Sequence, residues 1–119
     1  MMRFNWSEIA EEKLNPLLSR RVIHTEQMTI AQLWLGKGAV VPLHEHVNQQ
    51  TTMLTSGALV FEMGGEKIVL KAGDVLVIPP NLPHRVEALE ESTATDLFTP
   101  PREDWIRGDD AYLRNSSQR

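Results

Sequence analysis

The sequence predicts an all-β protein, a small sandwich or barrel. Short apolar or alternating stretches recur along the 119 residues, and Gly or Pro stands at nearly every corner between them. The alternation of strands with long helical segments that marks βαβ proteins is not found. We expect one domain over residues 1–119, with a barrel core at about 20–99, an N-terminal lead-in at 1–19 and a polar C-terminal tail at 100–119.

The N-terminal half contains the lead-in and the first predicted strands. Residues 4–18 are expected to be irregular or briefly helical, with Ser7 as the cap of a short turn. The alternating run from Arg20 to Leu35 predicts two strands with a turn near Glu26, and Val40 to His46 predicts another.

The C-terminal half continues the same pattern. The predicted strands lie at 51–63 with a break at Ser56-Gly57, and at 67–70, 75–78, 85–89 and 93–98. The tail carries four apolar anchors, Trp105, Ile106, Tyr112 and Leu113. We expect it to cover a barrel mouth or a neighbouring subunit, and to fray after Asn115.

Three of the four histidines are placed to converge. His44 and His46 are two residues apart, so on a strand both imidazoles point to one face. His84 follows a Pro-Pro-Asn-Leu-Pro turn, and it joins them if the two stretches pair. This is a metal-chelating pattern, and a chain without cysteine must use nitrogen and oxygen ligands. His24 is expected to be an ordinary strand residue. The alternative is that His44, His46 and His84 are core or surface histidines in a metal-free protein.

Charge and hydropathy exclude several classes of partner. The net charge is −4 and no basic stripe occurs, which argues against nucleic acid as the main partner. The N-terminal stretch has no apolar run long enough for a signal peptide or a membrane span. We therefore expect a cytoplasmic protein with no membrane partner.

The glycine and histidine spacings resemble the two motifs of the cupin superfamily, which are small double-sheet jelly-roll barrels. The first motif matches at Gly38, His44, His46, Gln50 and Gly57, and the second at Gly73, Pro79 and His84. Two positions depart from the pattern: Gln50 stands where an acid is usual, and Asn81 replaces an inner glycine. Asn tolerates a left-handed backbone, so the turn is expected to survive.

The resemblance implies one divalent metal ion held by His44, His46, Gln50 and His84. Nitrogen and oxygen donors suit Ni, Zn, Fe, Mn or Co, and ligand type does not rank them. Three neutral imidazoles and an amide leave the full charge of the ion for a substrate. The site is therefore expected to favour an anion.

The segment from Leu76 to Arg114, together with Gln50, resembles the pectin-degradation cupins called KdgF. That family converts 4,5-unsaturated monouronates, released by pectate and alginate lyases, into the linear 4-deoxy-5-keto uronate. The resemblance implies a small anionic sugar acid as substrate and a catalytic set of Asp96, Phe98 and Arg102. Strand alternation also places Asp96 and Phe98 on one face. On position alone, Asp96 could equally be a structural ion-pair partner of Arg102. Phe98 is, on position alone, more simply a core residue.

Two other functions stay open at this level. A three-histidine cupin can hold iron or copper and act as a dioxygenase or another small-molecule oxidoreductase. It can also bind a sugar acid without turning it over. A homodimer is expected as well, because Trp6, Ile9 and Leu14 of the lead-in would leave exposed apolar surface on a small barrel.

Overall fold

The computed structural model of the chain describes residues 1–114 and confirms an all-β fold of two antiparallel sheets. The strands are β1 (Glu12–Asn15), β2 (Leu18–His24), β3 (Thr29–Leu35), β4 (Val40–His44), β5 (Gln49–Ser56), β6 (Ala58–Met63), β7 (Glu66–Lys71), β8 (Val75–Ile78), β9 (His84–Ala88) and β10 (Ser92–Thr99). One sheet has the order β1-β2-β3-β10-β5-β8, and the other has the order β4-β9-β6-β7. Their inner faces enclose a core that includes Leu33, Leu54, Leu59, Phe61, Val86 and Phe98.

The central strands of the larger sheet show why its inner face carries both core and polar groups. Along β3 and β10 buried residues alternate with partly exposed ones, as a strand with one covered face requires. In the β10–β3 register Ala94 lies opposite Leu33, and Asp96 lies opposite Ala31. Asp96 therefore points into the barrel among aliphatic side chains.

Two turn residues confirm the backbone expected from the motifs. Gly57 has φ +91°, and a Cβ there would lie 2.2 Å from Ser92 Oγ, so no larger residue fits without rearrangement. Asn81, which replaces the second motif's glycine, has φ 64°. The substitution preserves a left-handed turn, as expected for Asn.

The lead-in differs from the prediction in two respects. A 3-10 helix spans Trp6–Glu8, but its cap is Asn5, whose side chain accepts a hydrogen bond from the Ser7 backbone N–H at 2.9 Å. The assignment of Ser7 as the cap is wrong. The following residues form β1, whose Leu14 is buried in the core and contributes nothing to an exposed surface.

The tail folds back over the barrel mouth as two short helices, α1 (Glu103–Ile106) and α2 (Ala111–Arg114). Its first turn is held by the Arg102 backbone N–H, which donates to Thr29 Oγ1 at 2.9 Å. Its second helix is held by an ion pair between buried Asp110 and Arg20. The predicted cap is thus formed on the chain's own barrel. The predicted fraying after Asn115 lies outside the described residues.

No helix in the described part of the chain is long and apolar enough to cross a membrane.

Candidate active site

Two strands of the smaller sheet bring the motif histidines together. His44 ends β4, His84 begins β9, and the two lie opposite each other in the β4–β9 register. His46 follows β4 by two residues. One ring nitrogen from each histidine lies within 4.8 Å of the others, and no second cluster of this kind occurs among residues 1–114. We refer to these residues as the three-histidine cluster. His24 lies elsewhere, with Nδ1 2.8 Å from Thr29 Oγ1.

Each histidine of the cluster has its Nδ1 beside a backbone carbonyl. The distances are 2.7 Å from His44 to Pro42 O, 3.1 Å from His46 to Asn48 O and 2.8 Å from His84 to Leu82 O. A carbonyl only accepts, so the proton of each neutral ring belongs on Nδ1 and the lone pair on Nε2. His84 Nε2 is buried and makes no hydrogen bond to any described residue. The hydrogen bonds from Nδ1 to backbone carbonyls and the unshared electron pair on His84 Nε2 fit a metal site.

Burial keeps these rings neutral. Desolvation, together with the neighbouring His84, lowers the pKa of His44 to about 3. Desolvation and the Arg102 charge lower the pKa of His46 to about 4. The pKa of His84 is also lowered, chiefly by burial. Neutral imidazoles are the form that binds metal, so the cluster is ready to ligate near neutral pH.

Gln50 is held against the cluster by its neighbours. Its Nε2 donates to Thr52 Oγ1 at 3.0 Å, which turns its Oε1 toward His46 Nε2 at 3.1 Å. His46 therefore has an acceptor oxygen beside each ring nitrogen, although a neutral imidazole carries one proton. Two electron-pair donors that face each other in this way fit the ligand set of a cation.

Asp96 is a buried carboxyl in the same cavity. Burial raises its pKa to about 6, against the opposing effects of a hydrogen bond from Thr52 and the Arg102 charge. Its Oδ1 is buried and makes no hydrogen bond within the described part of the chain. A carboxyl that titrates near neutral pH with one unengaged oxygen suits proton transfer.

Arg102 lies beside Asp96 but is paired with other groups. It is 1% exposed, although its neighbours in the sequence, Glu103 and Asp104, are charged as well. Its guanidinium donates to Asp104 at 3.0 and 2.8 Å and to Tyr112 Oη at 2.8 Å, and it stacks 4.7 Å from the centre of the Phe98 ring. The alternative of an Asp96–Arg102 ion pair is not found among the ion pairs of residues 1–114.

The cavity that these groups share offers about 50 Å³ to the centres of water-sized molecules. Its apolar wall comes from both sheets and from the tail, including Phe98 and Trp105. The polar side chains along it are His44, Gln50, Thr52, His84, Asp96, Arg102 and Tyr112. All of the predicted catalytic residues and three of the four predicted ligands therefore line one cavity. The fourth ligand, His46, is not part of its lining, but one of its ring nitrogens lies within 4.8 Å of those of His44 and His84.

Sequence reasoning missed the roles that two cavity residues have in this structure. Thr52 is two positions after Gln50 on one strand, so alternation alone could have placed both on the inner face. Tyr112 was expected to be a tail anchor, yet its hydroxyl accepts from both Arg102 and Trp105. No local pattern signals this contact, since it depends on how the tail docks.

A two-sheet barrel whose histidines meet at the end of β4 and the start of β9 has the fold and the site of a cupin. Residues 34–99 match the family described as Cupin domain, which is more than half of the chain.

Comparison with individual proteins narrows the assignment. Pectin degradation protein KdgF of Dickeya dadantii (strain 3937) is 31% identical over 98 residues, covering 80% of this chain and 89% of the relative. The structure of KdgF from Halomonas sp. superposes with a TM-score of 0.81 at 31% identity, covering 88% of this chain and 98% of the other. An RmlC-like cupin from Shewanella frigidimarina NCIMB 400 gives a TM-score of 0.81 at 25% identity, covering 88% and 96%. The chain belongs to the cupin family, and within it to the KdgF-type proteins.

Proposed function

We propose that this protein is a metal-dependent enzyme that converts 4,5-unsaturated monouronates, released by pectin or alginate lyases, into linear 4-deoxy-5-keto uronates. The similarity to KdgF supports the substrate class. One observation carries the chemistry: Asp96, whose buried Oδ1 makes no hydrogen bond to any described residue, lines the same small cavity as His44 and His84 of the three-histidine cluster.

The reaction is a net isomerisation in which no atom is gained or lost. The C1 hydroxyl loses its proton, the bond between C1 and the ring oxygen breaks, and C1 becomes an aldehyde. The electron pair of that bond passes to the ring oxygen, which leaves an enolate over C4, C5 and that oxygen. A proton then adds to C4, and the C5–O bond becomes the ketone double bond as the enolate charge is neutralised.

Asp96 is the proton carrier in this proposal. As a carboxylate it accepts the C1 hydroxyl proton, and as a carboxylic acid it delivers a proton to C4. Its pKa of about 6 makes both forms accessible near neutral pH. Because it accepts one proton and donates one, Asp96 returns to its starting state after each turnover.

The other groups bind and orient the substrate. A divalent metal held by His44, His46, Gln50 and His84 would supply Lewis-acid polarisation of the substrate's oxygen atoms. The Arg102 guanidinium places a fixed positive charge on the cavity wall, which favours an anionic sugar. Phe98 offers a ring against the apolar side of the sugar.

A coupled assay tests the proposal. Purified protein is added to a lyase digest of polygalacturonate, and the unsaturated uronate absorbance is followed with and without a chelator. We expect acceleration over the spontaneous rate that the chelator abolishes and added metal restores. An unchanged rate in protein shown by elemental analysis to contain metal would reject the reaction, and ligand binding without turnover would then replace it.

The proposal keeps the predicted homodimer, with a revised surface. Leu14 is buried in its own chain, whereas Phe4 and Leu17 of the same lead-in are 47% and 40% exposed. Covering these side chains is the physical reason for association. A monomer in sedimentation at micromolar concentration would refute it.

A further inference from the structure

Gln50, Thr52 and Asp96 lie together on the inner face of the larger sheet, where Gln50 Nε2 donates to Thr52 Oγ1 at 3.0 Å. Gln50 and Thr52 are two residues apart on β5, and Thr52 lies opposite Asp96 in the β10–β5 register. Thr52 is 1% exposed, so water does not compete for its hydroxyl. Thr52 can therefore engage both Gln50 and one oxygen of Asp96 in the core, while Asp96 Oδ1 is left without a hydrogen bond to any described residue.

The direction of these hydrogen bonds is fixed by chemistry. The Asp96 carboxylate can only accept, and a hydrogen bond from Thr52 opposes the rise of its pKa, so the one proton of the Thr52 hydroxyl is directed to Asp96. Thr52 Oγ1 can then only accept from Gln50 at 3.0 Å, which places the NH₂ group of the amide beside it. The amide oxygen consequently faces the three-histidine cluster.

We infer that Thr52 is a positioning residue, which holds the Gln50 amide with its oxygen toward the three-histidine cluster and at the same time orients the Asp96 carboxyl. Without the hydroxyl, the amide can rotate by half a turn about its terminal bond and present its NH₂ group, which cannot ligate a cation. The inference has a Gln50 part, the orientation of the amide, which does not depend on the proposed reaction. Its Asp96 part, the orientation of the carboxyl, rests on that reaction.

Thr52→Val is the direct test of the Gln50 part, because valine keeps the branched shape and removes the hydroxyl. Metal is stripped from wild type, Thr52→Val and Thr52→Ser, and zinc affinity is measured by chelator competition without substrate. We expect about a tenfold loss in Thr52→Val, as found when outer-shell partners of metal ligands are changed. Thr52→Ser retains the hydroxyl and should recover affinity to within about twofold. Wild-type affinity in a folded Thr52→Val protein would overturn the inference.

The Asp96 part has its own readout in chelator-treated protein, the pH titration of the Asp96 carboxyl by ¹³C NMR. The charged and titratable groups on the surrounding elements are Arg102 and Tyr112 on the tail, His44 on β4 and His84 on β9. Thr52→Val should raise the titration midpoint above the wild-type value, because the carboxylate loses a donor, while Thr52→Ser restores it. An unchanged midpoint in Thr52→Val would overturn this part.

Two precautions keep the outcomes separate. If Thr52→Val fails to fold by circular dichroism, Thr52→Ala removes the same hydroxyl without steric conflict and takes its place. If wild type does not isomerise the uronate, the proposed reaction fails. The zinc affinities still decide whether Thr52 positions Gln50.

Discussion

Replacing Asp96 with Asn should stabilise the fold at neutral pH while removing the proposed chemistry. Asn keeps the shape of the side chain and an oxygen that can accept from Thr52, but it cannot ionise. Wild type must hold a carboxylate in a buried, largely apolar cavity at neutral pH. The substitution removes that cost, and with it the proton carrier.

The magnitude follows from the pKa of Asp96, which rises from 3.8 to about 6 on folding. One pKa unit corresponds to about 1.4 kcal/mol, so the shift amounts to about 3 kcal/mol. Since the pKa of the folded state is the higher one, the folded state binds more protons between these values. The contribution of Asp96 to stability is therefore fully present below pH 3.8 and is lost as the pH rises through about 6.

The assay is urea unfolding of chelator-treated wild type and Asp96→Asn at about pH 4.5 and pH 8. The free energy of unfolding of Asp96→Asn relative to wild type should rise by about 2 kcal/mol between these conditions, because part of the cost is already present at pH 4.5. Metal-loaded Asp96→Asn should lose roughly 10²–10⁴-fold in turnover.

Asp104→Asn is the matched control. Burial alone would raise the pKa of Asp104, but the hydrogen bonds and charge of Arg102 outweigh it and the pKa is lowered. Asp104 is thus ionised in both the folded and the unfolded state from pH 4.5 to 8. The difference in free energy of unfolding between Asp104→Asn and wild type should therefore be the same at the two pH values. A constant difference for Asp96→Asn as well would show that Asp96 ionises normally, and would refute the reasoning.

Three further predictions concern the ligands and the tail. Gln50→Glu should bind zinc more tightly, but small carboxylates should inhibit its turnover roughly tenfold more weakly than that of wild type, since it adds a negative charge at the site. Equal inhibition constants for the two proteins would contradict this. His84→Ala should lower zinc affinity, measured by chelator competition, by more than the roughly 100-fold loss that follows when only the hydrogen-bond partner of a ligand is changed. His24→Ala should leave the zinc affinity unchanged. Asp110→Ala should lower the free energy of unfolding, measured in urea, by about 3 kcal/mol, because it leaves the buried guanidinium of Arg20 without its buried partner. Glu12→Ala, which removes the exposed partner of Arg20, should lower it by less than about 1 kcal/mol. Equal losses in those last two variants would show that burial does not govern the pair.

Features with a local cause could be predicted from the sequence. The alternation in β3 and β10 and the motif spacing placed the strands and the three histidines, because a two-residue period and turn residues act over short distances. The left-handed turn at Asn81 followed from its short polar side chain.

Features that depend on distant contacts could not be predicted in this way. Arg102 stands in a charged run, which is typical of solvent exposure, but docking of the tail buries it against Phe98 and Tyr112. Leu14 lies on the short edge strand β1, and its burial depends on packing against the core and on contact of the tail helix α2 with β1. Both outcomes are settled by how separate segments pack.

The central claim is that one cavity joins a three-histidine metal site to a proton-carrying Asp96, and ¹H NMR of the reaction in D₂O tests it most directly. The vinyl C4 proton of the unsaturated monouronate is followed with metal-loaded wild type and with Asp96→Asn. We predict that wild type alone accelerates its loss and forms the linear keto acid with one solvent deuterium at C4, added to a single face. Decay at the spontaneous rate in metal-loaded wild type, or equal acceleration by Asp96→Asn, would contradict the claim.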